Sequence, residues 1–305
     1  IFFILSCPFN LYAEDIYELN ENEKKWLNSQ ISQYQDDFAS PYDEEFCSET
    51  ESFAVVANVL SYNLGTAFGR WDIRYANDER QPHELPDPFD PLPVCPPGML
   101  QNAEGLPASE SEVPESYPLR ISWPGILVDD EGHPEDIITR VREALSAIWK
   151  DNSASIEQEA CEILKVRSLR DYFAEKKSGG KFFKEHLQRY SKSRRKAPIY
   201  WPLSTESGSY TLWIYYHRLT DQTLYQCVSD FIEPKIDQCE KDLQMLNQQF
   251  ELGQADGKTN DQISELKTLI NELKNFRDEL LNVARLPYKP NLNDGVQITA
   301  APLWK

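Results

Sequence analysis

Between Lys165 and Lys196 the chain carries twelve lysines or arginines against three acids, Asp171, Glu175 and Glu185, a local +9 in a chain whose formal net charge is −19. The other residues therefore hold −28. Charge sorted in this way makes the acidic total a poor guide to partners, because a phosphate backbone answers to the field of the face it meets. Lys181, Lys184, Arg189, Lys192, Arg194, Arg195 and Lys196 are the candidate phosphate contacts. Such contacts fix register without reading sequence.

The basic run passes directly into rings. Residues 197–203 and 210–216 read as two strands rich in aromatic and β-branched side chains, joined by residues 204–209 with Gly208. In the second strand Tyr210, Leu212, Ile214 and Tyr216 share one face, and Thr211, Trp213, Tyr215 and His217 share the other. The expectation is that one face packs inward and the other offers rings. Tyr200, Trp201, Trp213, Tyr215 and His217 are then the candidate base contacts, by position. The same residues also fit an aromatic core beside solvated cations, and spacing leaves the two readings open.

The stretch R-R-K-A-P-I-Y-W-P-L-S-T-E-S-G-S-Y-T-L-W-I-Y-Y-H-R-L-T-D-Q-T-L-Y, Arg194 to Tyr225, resembles the C-terminal part of large bacterial adenine-specific DNA methyltransferases. These are the PglX type of BREX phage-defence systems and their type II restriction-modification relatives. Three more stretches resemble the same family: A-F-G-R-W-D-I-R from Ala67, E-Q-E-A-C-E-I-L from Glu157, and K-P-N-L-N-D-G-V-Q-I-T-A-A-P-L-W-K from Lys289. The resemblance spans most of the chain from about Phe53 onward. It implies methyl transfer from S-adenosylmethionine to the exocyclic amine of adenine in duplex DNA, after the base is flipped out. Duplex DNA, an N-terminal catalytic half and other defence-system proteins are the implied partners.

That chemistry needs a glycine-rich turn after a strand and an Asp/Asn-Pro-Pro-aromatic loop. Gly65 and Gly69 form the nearest glycine pair, but Phe53, Val56, Leu60 and Leu64 before them fall at helical spacing, and Gly69 reads as a helix terminator. Pro86-Asp87-Pro88-Phe89 lacks the second proline, and Cys95-Pro96-Pro97-Gly98 lacks both amide and ring. No catalytic residue and no cofactor-binding residue is therefore assigned. The chain starts at Ile1 and stops at Lys305 inside a stretch that the family continues, so the expectation is a C-terminal portion that transfers no methyl group alone.

Six scattered cysteines without a Cys-x-x-Cys pair suit reduced thiols in a cytoplasm, and no metal site is expected. The apolar run from Ile1 to Cys7 is too short to span a bilayer, so no membrane is implied. Asp129 to Asp136 concentrates acids around His133, which suits the start of a helix running to Trp149. Ser155 with Gln158 suits a capping box, and Ser168 with Asp171 another helix start.

The fold class expected is α+β and helix-rich, with a short aromatic β-hairpin among helices. Five segments follow from punctuation: a helical N-terminal region 1–80, a connector 81–118 holding half of the twenty prolines, an α+β recognition domain 119–230, a helical hairpin 231–286 and an extended end 287–305. In the hairpin Ile236, Cys239, Leu243, Leu246 and Phe250 step by three and four. Ile263, Leu266, Ile270, Leu273 and Leu280 resume the pattern after a break, as in an antiparallel coiled-coil-like pair.

Overall fold

Thr211–Tyr215 carries bulky side chains on both faces, and the fold buries all five residues. In the computed structural model, which describes residues 44–81, 95, 98–174, 182, 183, 186, 199–252 and 257–286, this strand is the middle of a three-stranded antiparallel sheet. Its neighbours are β1 (Ile126–Val128) on one side and β2 (Tyr200–Ser204) on the other, with Thr211–Tyr215 as β3. Leu127 and Pro202 stand opposite Trp213, and Ile126 and Trp201 opposite Ile214. Pro202 is tolerated because β2 is an edge strand, where a missing N–H breaks no ladder.

Helices cover both faces of this sheet. One face, with Ile126, Val128, Trp201, Leu212 and Ile214, packs against Leu224, Phe231, Ile232, Ile236, Ile270 and Leu273 of the C-terminal helices. The other, with Leu127, Tyr200, Trp213 and Tyr215, packs against α1 (Glu44–Ala67), α2 (Ile137–Trp149) and α4 (Leu169–Phe173) through Leu60, Leu64, Ile138, Val141, Leu169 and Phe173, with Phe68 just past the end of α1. Phe182 and Phe183 join that second core, Phe183 stacking on the Trp213 indole. The expectation of one inward face and one ring-bearing face is therefore corrected. Period-2 alternation implies a solvated face only when one set of positions is polar, and here neither is.

The α+β, helix-rich class is what the structure shows, with the aromatic hairpin and an antiparallel helical pair. From Thr223 the chain is helical through α5 (Thr223–Gln226), a π-helical turn at Cys227–Ile232 and α6 (Glu233–Glu251). The wide turn ends just before Pro234, whose ring would otherwise crowd the carbonyl four residues back. Then α7 (Gly257–Ala284) returns, with Lys274 on Glu240 at 2.7 Å and the Tyr225 hydroxyl donating to the Ala284 carbonyl at 3.3 Å. Ile236, Cys239, Ile270, Leu273 and Leu280 are buried as their spacing requires, whereas Phe250 is exposed near the tip.

Local signals behave unevenly. Gly69 ends α1 in the left-handed region at φ 65°, with Arg70 N–H bonded to the Gly65 carbonyl at 2.7 Å. Ser168 caps α4 by accepting from Asp171 N–H. The capping box expected at Ser155 and Gln158 is absent: α3 (Ser153–Ile163) starts two residues earlier, continuing from a 3-10 turn, and Gln158 donates to Glu162 instead. The described part of the connector lies against the end of α1, with Met99 bridged to Trp71 and Leu100 N–H bonded to the Arg70 carbonyl at 3.2 Å. Residues of α1 and α2 share one core.

The acid-rich stretch before α2 is a structural tie. Asp136 caps the helix by accepting from Thr139 N–H at 3.0 Å and also receives Arg170, while Asp130 takes Lys235 of α6 at 2.6 Å. His133 accepts the Glu135 N–H on Nδ1 and stacks on Phe231. Among the described residues no three His, Cys, Asp or Glu gather as metal ligands would, and no helix is long and apolar enough to cross a membrane.

Candidate functional site

Lys181, Lys184, Arg189, Lys192, Arg194, Arg195 and Lys196 lie outside the described residues, as do residues 1–43, most of 82–97 and 287–305. Of the five candidate rings, Tyr200, Trp201, Trp213 and Tyr215 are at most 4% exposed. A ring stacks on a base only through a free face, so in this structure those four belong to the core, and His217 alone of the set is exposed.

Around His217 three distant segments meet. The Ser122 N–H bonds to the Ala67 carbonyl at 2.9 Å, pinning the turn before β1 to the end of α1, and the Tyr215 N–H bonds to the Gly125 carbonyl at 2.8 Å, pinning it to β3. This stitching gathers Arg70, Trp71, Trp123, His217 and Arg218, none of the four besides His217 being singled out by the sequence patterns. The Arg70 guanidinium lies over the Trp71 ring at 4.7 Å and that of Arg218 over the Trp123 ring at 4.3 Å, both in the range of a cation–π contact.

Arg218 sits in a slot made by two glycines. Gly69 and Gly125 both have left-handed backbones, at φ 65° and 70°. A Cβ on Gly125 would come within 2.8 Å of the Arg218 Cβ, and one on Gly69 within 2.7 Å of its Nη2. Nη1 donates to the Trp123 carbonyl at 3.2 Å. Burial lowers the basicity of this guanidinium, opposed by Tyr215 and by Glu110. Burial of part of its ring, and then the Arg70 charge, hold the His217 imidazole below its usual value.

Beside Arg218 opens a groove of about 950 Å³, walled by Glu110, Pro114, Tyr117, Arg120 and Trp123. Arg120 is engaged by Glu135 at 2.6 Å, so its charge is already matched. The face as a whole brings together a guanidinium fixed on an indole, an exposed imidazole and a second arginine–indole pair. That set can hold an anion and flank it with rings; among the described residues it contains no nucleophile paired with a base.

The cofactor implied by resemblance finds no cradle at the nearest glycine pair. Gly65 lies inside α1, and a Cβ there would run into the Trp71 ring and stand 3.4 Å from the Tyr200 hydroxyl. The residues present do not fit S-adenosylmethionine at that place. The one cysteine near a Pro-Pro pair, Cys95, is buried, and burial pushes its thiol up, which leaves it a poor nucleophile.

No family model matches the chain. It is similar to the adenine-specific methyltransferase BrxX of Escherichia coli O9:H4 (strain HS), 27% identical over 188 residues, which is 56% of this chain and 15% of that protein. It is similar also to the adenine-specific methyltransferase PglX of Lacticaseibacillus casei (strain Zhang), 26% identical over 200 residues, 58% of this chain and 15% of that one. The chain thus spans about a seventh of the length of the curated relatives it matches. It is related in sequence to PglX-type adenine-specific methyltransferases.

Proposed function

We propose that this chain is the non-catalytic, DNA target-recognition and clamping part of an adenine-specific DNA methyltransferase of a bacterial phage-defence or restriction-modification system, acting in the cytoplasm. The observation that carries the reading is the cationic and aromatic face at Arg70, Trp71, Trp123, His217 and Arg218, on a chain related to two adenine-specific methyltransferases. In this reading S-adenosylmethionine is held by the rest of the whole protein, and the basic run from Lys181 to Lys196 supplies further phosphate contacts.

Fluorescence anisotropy with a labelled duplex across a salt series tests it. Binding is expected to weaken steeply with salt, and neutralising Arg194, Arg195 and Lys196 together is expected to flatten the log–log slope by about 3, from roughly 0.9 per phosphate. A folded chain that binds no duplex at any salt concentration would sink the reading.

The exposed tip of the helical pair favours a second reading, a scaffold that docks on the catalytic half or on another defence protein. Phe250 and Leu252, at the end of α6, stand out at 48% and 73% exposure. Phe250→Ser with Leu252→Ser is expected to leave the thermal midpoint within a few degrees and to abolish co-purification with the catalytic half. Unchanged co-purification would count against this role.

A further inference from the structure

We propose that Arg218, seated on Trp123 in the slot between Gly69 and Gly125, is a preformed binding site for a single phosphodiester group of a DNA strand. This assignment rests on the DNA-contacting reading above and adds the residue and ligand group through which one contact is made.

The first argument is charge balance. Arg74 and Arg80 take Asp72, Arg140 takes Glu143, and Arg170 takes Asp129 and Asp136. Arg218 is half-buried and, among the described residues, has no carboxylate partner. A guanidinium drawn partly out of water without an anion is costly, and the Trp123 ring and carbonyl offset only part of that cost. An arriving anion completes the arrangement.

The second argument is preorganisation. Two left-handed glycines are spent on admitting one side chain, and a Cβ at either would displace it. The indole covers one face of the guanidinium, and one Nη is already tied to the Trp123 carbonyl, which fixes the plane. Arg218 lines the groove, and its donors other than the one on that carbonyl have no hydrogen-bond partner among the described residues, so one can meet a phosphate oxygen. Little rotamer entropy is left to lose on binding.

The third argument concerns neighbours. The Trp71 and Trp123 rings, each carrying a guanidinium over one face, flank the site and suit a backbone with bases beside it. Glu110 lines the same groove and acts on Arg218 electrostatically without an ion pair to it, and its charge disfavours a purely anionic ligand deeper there. The site therefore suits a strand that touches with one phosphate and runs past.

Duplex anisotropy over a salt series decides it, with wild type, Arg218→Gln, Arg218→Lys and Arg142→Gln compared after each is shown to melt cooperatively. Arg142 is matched by Glu157 on the α2–α3 side and serves as the charge control. Arg218→Gln is expected to bind roughly tenfold more weakly, the loss of one hydrogen bond to a charged group, equally for different duplex sequences, and to reduce the salt slope by about 1. Arg218→Lys is expected to keep the slope and lose part of the affinity, since the charge stays and the fork goes. Arg142→Gln is expected to match wild type. If wild type binds and both Arg218 variants match it in affinity and slope, Arg218 is a pin for the 122–125 turn and the assignment fails while the DNA reading stands. If the folded wild type binds no duplex, both fail. Should Arg218→Gln not fold, Arg218→Lys alone decides: affinity equal to wild type overturns the site.

Discussion

Trp213→Ala is expected to cost about 3–5 kcal/mol of folding stability, the range for emptying a large buried aromatic site. The ring is fully buried, faces Leu127 and Pro202 across the sheet, and stacks on Phe183. Its loss would open a hole between the sheet and the α1, α2 and α4 layer, where neighbours are held by strand pairing and cannot collapse inward. Trp213→Phe keeps a ring in place and removes an indole N–H that has no hydrogen-bond partner among the described residues. It should cost less, about 1–2 kcal/mol. Urea denaturation followed by circular dichroism measures both. A ring reserved for stacking on DNA could be removed without loss of stability, so a cost below about 1 kcal/mol for Trp213→Ala would return Trp213 to the DNA-contacting set.

This contrast shows what was legible and what was not. The strand at Thr211–Tyr215 could be read from its branched and aromatic residues, and the helical pair from Ile236, Cys239, Ile270 and Leu273. Two-sided burial of the strand was also encoded, in the near-absence of polar residues between Tyr210 and Tyr216, but alternation by itself points to a half-exposed strand. The face at Arg70, Trp123 and Arg218 could not be read, because its members lie up to 148 positions apart in sequence and each sits beside a turn. Gly69 and Gly125 look like ordinary terminators until the fold shows Arg218 lying between them. The resemblance did include Gly69-Arg70-Trp71 and His217-Arg218 within its stretches, although nothing in those strings says that they touch one face. The distal helical tip misled for the opposite reason, since Phe250 keeps the apolar spacing yet lies beyond the layer that buries Ile236 and Cys239.

Asp72→Asn is expected to destabilise the fold by about 2–3 kcal/mol, and to remove a step from its acid denaturation. The Asp72 side chain is fully buried and receives Arg74 at 2.7 Å, Arg80 at 2.9 Å and the Arg74 backbone N–H at 3.1 Å. Breaking such a pair deep in a protein costs about 3–5 kcal/mol, but Arg74 and Arg80 are 24% and 41% exposed and would be partly rehydrated, which places the value lower. Burial works to raise the Asp72 carboxyl; the hydrogen bonds from Arg74 and Arg80 outweigh it and hold it below the usual aspartate value. A carboxyl depressed by folding contributes stability that is complete above its unfolded value of about 3.9 and is lost as pH falls through the lower folded value. The asparagine variant should therefore show a flatter acid limb than wild type in chemical denaturation at successive pH values. Parallel limbs would mean that another carboxylate governs acid unfolding. Position gives the variant a second consequence, because Asp72 follows Trp71 directly and its carbonyl accepts the Tyr62 hydroxyl at 2.8 Å. That clamp fixes the backbone from which Arg70 and Trp71 project, so the same substitution should weaken duplex binding while leaving the Arg218 contribution to the salt slope intact.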